Sequence, residues 1–225
     1  SQAAAQRVLQ ARAQAPFVDV EDLAARAALQ AKDLAALSAA DAMGSLAGHR
    51  RQQVWEAAAW RAGTPLLSGQ VVDAMDWDWQ APDEVETVFM DHAATGLSLR
   101  GHPVGFLRQA LQARRFSSAQ ALHALPNGRL ARACGLVTVR QQPGTAKGVV
   151  FITLEDETGS VNVVVWRDIK TRFSEAVFHA RLLAVYGVWQ RDVDTGGQVA
   201  HLVAKRLEDR SDWLGQLAHR SRDFH

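Results

Sequence analysis

One cysteine, Cys134, in 225 residues is too few for a disulfide framework or for a zinc or iron–sulfur site built from several thiolates. That usage fits a reducing cytosol, and the apolar neighbours of Cys134 predict a buried, inert thiol. No apolar run approaches the ~20 residues a bilayer span needs, and no signal peptide opens the chain. A phosphate loop is missing: Pro143-Gly144-Thr145-Ala146-Lys147-Gly148 lacks the Gly-Lys-Ser/Thr ending. No serine has an evident histidine and acid around it. His92 and His102 have no carboxylate or cysteine at metal-ligand spacing. Asp76-Trp77-Asp78 has the D-x-D spacing of two-metal transferases, but it falls in a linker with no strand to hold two carboxylates rigidly. Taken alone, this chain is expected to do no covalent chemistry and to need no cofactor or metal.

Charge of one sign is scarce as well, with 25 Lys and Arg against 24 Asp and Glu. The halves differ, however. Residues 129–225 carry 14 basic against 11 acidic side chains, and 1–128 carry 11 against 13. The mildly basic second half permits a nucleic-acid surface without demanding one. The sequence opens at Ser1 inside a helical pattern with no initiator Met, so we expect a piece of a longer protein.

Residues 1–62 read as helices. An alanine-rich first helix stops at Pro16, which cannot continue the hydrogen-bond ladder. Asp19 is placed to cap the next, with Glu21 and Asp22 at its positive end. Short helices follow, the last at about 49–61 with Val54, Trp55 and Ala58 on one face. Tight turns with basic residues nearby suggest helix-hairpin-helix units, which bind phosphates through turn N–H groups. Ala28-Leu29 stands where a Gly-Leu hairpin is expected, and the hairpin glycines look absent. A packing module and a duplex-contacting one both remain open here.

Residues 63–128 read as a linker and helical connector. Trp77 and Trp79 are candidate anchors on a partner or a neighbouring surface. Helices are expected at 84–93 and at 103–113, the second opened by Pro103. Ser117 or Ser118 caps another.

From Arg129 the pattern changes to strands: 133–140, 149–154, 160–166, 181–190 and 198–205, with one helix at 168–178 between the third and fourth. Three strands, a helix and two strands in this span is the order of an OB-fold barrel. The predicted architecture is α+β and multidomain. A helix-hairpin-helix-like region (1–62) and a helical connector (63–128) precede a five-stranded OB-fold β-barrel (129–210) and a C-terminal tail (211–225). Strand alternation points Val150, Ile152, Leu154, Val161, Val163 and Val165 inward. Phe151, Thr153, Asn162, Val164 and Trp166 then face out. Phe151 and Trp166 offer faces on which bases stack, and Arg140, Lys147, Arg167, Lys170, Arg172 and Arg191 are candidate backbone contacts. The same rings could instead pack against a protein. The turn acids Glu155, Asp156 and Glu157 are expected to solubilise and cap a hairpin.

Several segments resemble the bacterial C-family DNA polymerases. They are the run 16–23 (PFVDVEDL), the run 95–103 (TGLSLRGHP), the long run 135–148 (GLVTVRQQPGTAKG), the run 153–159 (TLEDETG) with Val163-Val164-Val165-Trp166, and the end Ser221-Arg222-Asp223-Phe224-His225. The "RQxPGTAKG" loop and "SRDF" end are most similar to the error-prone, ImuC-type α subunit. The resemblance implies that the palm with its metal-binding aspartates, which would use Mg2+, lies elsewhere in the parent enzyme. It implies translesion synthesis by that parent during the SOS DNA-damage response. This segment would then handle single-stranded or primer-template DNA and dock mutasome partners, or act purely as a protein-interaction module. The implied partners are an ImuB-type inactive Y-family polymerase and an ImuA-type protein, with the sliding clamp reached only indirectly.

Overall fold

The computed structural model describes residues 1–60, 80–144, 148–191 and 199–220. The chain divides into two compact units, Ser1–Ser98 and Leu99–His225.

In the first unit, α1 (Gln2–Gln14) ends where Ala15 turns extended ahead of Pro16. Asp19 caps α2 (Val20–Arg26) as expected, its side chain accepting from Asp22 N at 2.7 Å. α3 (Ala31–Ala39), α4 (Gly44–Ala47), α5 (Arg50–Ala59) and α6 (Glu84–Thr95) complete it. Leu23, Ala24, Ala27, Leu29, Leu34 and Met43 form the core.

Two features of these helices follow from their turns. Gly48, at φ 71°, joins α4 to α5 in the left-handed region that favours glycine. Where the sequence expects a hairpin glycine, Ala28 takes that region itself, at φ 47°, and Arg7 donates from Nε to Ala27 O at 2.8 Å and from Nη2 to Ala28 O at 3.1 Å. Helix α5 carries Val54, Trp55 and Ala58 on one face, as the sequence indicates. It buries Arg50, Gln53 and Ala57 and turns Val54 and Trp55 outward. The cause is the turn. Gln53 accepts from Met43 N and donates to Asp41 Oδ1 and Gly48 O at 2.7 and 2.8 Å, satisfying buried groups that an apolar side chain would strand.

The second unit opens with α7 (Pro103–Ala113), which has proline in its first turn, and α8 (Ala119–His123), capped by Ser118. Five strands follow: β1 (Leu130–Gln141), β2 (Val150–Asp156), β3 (Gly159–Val165), β4 (Leu182–Arg191) and β5 (Ala200–Asp209). They close into a barrel in the order β1-β2-β3-β5-β4, antiparallel except for the β3–β5 pair. The inward residues are those that alternation assigned, each at most 3% exposed. Between β3 and β4 the expected helix is broken in two, α9 (Arg167–Arg172) and α10 (Ser174–His179), at Phe173. The break keeps Ile169, Phe173 and Val177 against the barrel interior. At Gly187 β4 and β5 pass too close for a side chain, since a Cβ there would clash with Val203 O. The region after 210 starts with a helix, α11 (Ser211–Arg220), pinned by Ser211 Oγ accepting from Arg181 N at 2.8 Å.

Candidate nucleic-acid interface

The β2–β3 register sets Phe151 opposite Val164, and Trp166 follows two residues after Val164 on the same outer face. Phe151 is 41% and Trp166 53% exposed, and among the described residues neither ring stacks on another aromatic. Val139 and Gln141 of β1 extend this face, paired with Thr153 and Phe151. Alternation along β1 alone does not find them, because a bulge between Val137 and Val139 resets the parity.

Trp166 is the N-cap of α9, so Arg167 follows it directly. Gly148, at φ 85°, turns the end of the β1–β2 loop against that helix. A Cβ at Gly148 would stand 3.7 Å from Arg167 Cγ and 3.8 Å from Lys170 Nζ. Two exposed rings and two cations therefore converge at one end of β2 and β3. Among the described residues, no carboxylate forms an ion pair with Arg167 or Lys170. Such a surface can stack bases and follow phosphates.

Of the other predicted contacts, Arg140 and Arg191 are held by backbone carbonyls. Arg140 lies opposite Ile152 and so takes inward parity. At the barrel rim its Nε donates to Val177 O at 2.8 Å and its Nη2 to Ala180 O, holding the end of α10. Burial lowers its pKa, with Asp209 opposing the shift. Arg191 is likewise spent on backbone, donating to Leu125 O at 3.0 Å and to His123 O. Arg172 lies over the Phe173 ring at 5.4 Å. Lys147, Trp77 and Trp79 lie outside the described residues, as do Asp76 and Asp78.

The turn acids do more than solubilise a hairpin. Asp156, 8% exposed, takes Ala119 N at 2.8 Å and Arg108 Nη2 at 3.0 Å on Oδ2, and Thr158 N and Oγ1, both at 2.7 Å, on Oδ1. Glu157 adds a second ion pair to Arg108. Burial disfavours the Arg108 cation, but the hydrogen bonds and charges of Glu157 and Asp156 outweigh it and raise its pKa. This knot ties α7 and α8 to the β2–β3 turn; the local signal for it is Asp156 two residues before Thr158, an Asx-turn spacing. Cys134 is buried, and desolvation pushes its pKa up to about 12. Among the described residues, no group of three or more His, Cys, Asp or Glu could hold a metal ion, and no helix is long and apolar enough to cross a membrane.

Fold and surface together define a class, a helix-hairpin-helix region followed by an OB-fold barrel. Family comparison agrees, matching a helix-hairpin-helix motif over residues 1–53 and an OB-fold nucleic acid binding domain over 131–209. The chain is homologous, over essentially its whole length, to a segment of error-prone DNA polymerases. It is 51% identical over 229 residues to the error-prone DNA polymerase of Azoarcus sp. (strain BH72), covering 100% of this chain and 21% of that protein. The error-prone DNA polymerase of Ralstonia nicotianae is 49% identical over 233 residues, covering 99% of this chain and 21% of its own length. The chain thus spans about a fifth of these curated relatives. Among solved structures, asparaginyl-tRNA synthetase from Pyrococcus horikoshii aligns with 41% of this chain and 22% of its own at 26% identity, with a TM-score of 0.35.

Proposed function

We propose that this chain is the part of an error-prone DNA polymerase that holds single-stranded template, and that it performs no nucleotide transfer itself. Damage-induced translesion synthesis belongs, on this reading, to the full-length enzyme. The observation that carries it is the shared outer face of Phe151 and Trp166, both exposed and, among the described residues, unstacked, with Arg167 and Lys170 beside it.

The test is binding of labelled oligo-dT at two salt concentrations. Each base stacked on an aromatic contributes ~1–3 kcal/mol, so Phe151→Ala/Trp166→Ala is expected to weaken binding by at least about tenfold. Two phosphate contacts at Arg167 and Lys170 would give a log-affinity slope on log salt of roughly −1.4. Absence of binding at low salt, or binding indifferent to the loss of both rings, overturns the proposal. Primer extension with any divalent metal is expected to yield no product from this chain.

A docking role is favoured by a separate observation. Outward-turned Val54 and Trp55 of α5 line an apolar groove of about 620 Å³ with Met90, Ala93 and Ala94 of α6. A groove of this kind suits an apolar segment of a mutasome partner, such as the ImuB-type protein. Pull-down of that partner by the wild-type chain, lost in Val54→Asp, supports this role. Retention in the variant removes it.

A further inference from the structure

The barrel has a second aromatic and cationic surface, built differently from the first. In the closed order β1-β2-β3-β5-β4, strand β4 lies across the barrel from the β2–β3 pair. Register places Arg132 of β1, Tyr186 of β4 and Arg206 of β5 in one row on the outside. The guanidinium carbons of Arg132 and Arg206 lie 5.4 and 5.3 Å from the centre of the Tyr186 ring. Trp213, in the first turn of α11, is flanked in the same way by Arg114 and Arg210, each at 5.1 Å.

The two stacks are joined. Arg132 Nη1 donates to Arg114 O at 3.2 Å, and Glu208 pairs with both Arg206 and Arg210. Among the described residues, Glu208 is the one carboxylate paired with any of these four arginines. The surface therefore carries a surplus of positive charge. Arg140 and Arg191, by contrast, spend their donors on backbone carbonyls. A guanidinium over an aromatic ring has five N–H donors, more than these contacts use, and its planar fork suits phosphate oxygens. Arg206 is 63% exposed at its side chain.

We propose that this β1–β4–β5 face is a second nucleic-acid contact, binding phosphate backbone without reading bases. It rests on the reading that the barrel handles nucleic acid. The phosphates could belong to the same single strand passing round the barrel or to an adjoining duplex, and the assay separates the two.

Affinities and salt slopes are measured for a dT 8-mer, a dT 30-mer and a blunt duplex hairpin, with melting temperatures alongside. The variants are Arg132→Gln/Arg206→Gln, its Lys counterpart Arg132→Lys/Arg206→Lys, and Phe151→Ala/Trp166→Ala. The Gln pair is expected to leave the 8-mer unchanged. It should weaken either the 30-mer or the duplex about fivefold or more at low salt. Losing two contacts flattens the salt slope by about 1.4 for a single strand or about 1.8 for a duplex. The Lys pair, which keeps charge, should restore the slope. Whichever long probe responds identifies the source of the phosphates. Should the double change disturb melting, Arg206→Gln alone carries the test with half the slope change. If the Gln variants alter neither long probe while the ring variant still weakens the 8-mer, this face is structural and the template reading stands. If the 8-mer ignores the ring variant and the Gln pair still weakens a long probe, the template reading fails and this face remains.

Discussion

Replacing Asp156 by asparagine changes no volume, yet the structure predicts a substantial loss of stability. All four partners of the carboxylate are donors: Ala119 N and Arg108 Nη2 on one oxygen, Thr158 N and Oγ1 on the other. An amide must turn its NH2 toward one of these pairs. The less costly choice faces Thr158, whose hydroxyl can rotate to accept even though it already takes Gln120 N at 3.1 Å. The Thr158 N–H is then left facing a donor, at about 1–2 kcal/mol, and the bond to Arg108 loses the carboxylate's charge, about 1 kcal/mol more. Asp156→Asn should therefore cost about 2–3 kcal/mol, read by urea unfolding, or a fall of roughly 5–10 °C in melting temperature. Combined with Arg108→Ala it should be non-additive by about 1 kcal/mol or more, because the two share one bond. Phe151 lies five residues up the same extended strand, about 17 Å away, so oligo-dT affinity of the folded protein should not change. A loss under about 0.5 kcal/mol, or strict additivity with Arg108→Ala, would refute the idea that this carboxylate holds α7 and α8 to the barrel.

Arg140→Ala should lower stability by about 1–2 kcal/mol, since it uncaps Val177 O and Ala180 O, while leaving the salt slope of oligo-dT binding as in wild type; a flattened slope would return Arg140 to the binding surface. Cys134 should resist thiol reagents at pH 8 in the native chain, because burial holds the thiol protonated up to about 12. Its folded pKa lies above the ordinary 9.0, so its contribution to stability is complete below about pH 9 and is lost between there and about pH 12. Cys134→Ala should melt with a shallower alkaline decline than wild type, and identical declines would mean the thiol is not buried as described.

Local residue pattern sufficed for the period-2 strands, their order around an inserted helix, and the inside and outside of β2 and β3. Each of these follows from a residue's immediate neighbours: alternation, turn residues, and caps such as Asp19 and Ser118. It also placed Phe151 and Trp166 on one surface, because both strands keep strict parity up to them. Three-dimensional packing decided the rest. Which arginines face a ligand depends on carbonyls far along the chain: Arg140 meets Val177 and Ala180, and Arg191 meets His123 and Leu125. The sidedness of α5 was set by hairpin groups that needed Gln53, against the pull of Val54 and Trp55 toward the core. The row of Arg132, Tyr186 and Arg206 exists only once three strands distant in sequence are brought into register. Local pattern fixes which way a side chain points, whereas the partner it meets is fixed by closure of the fold.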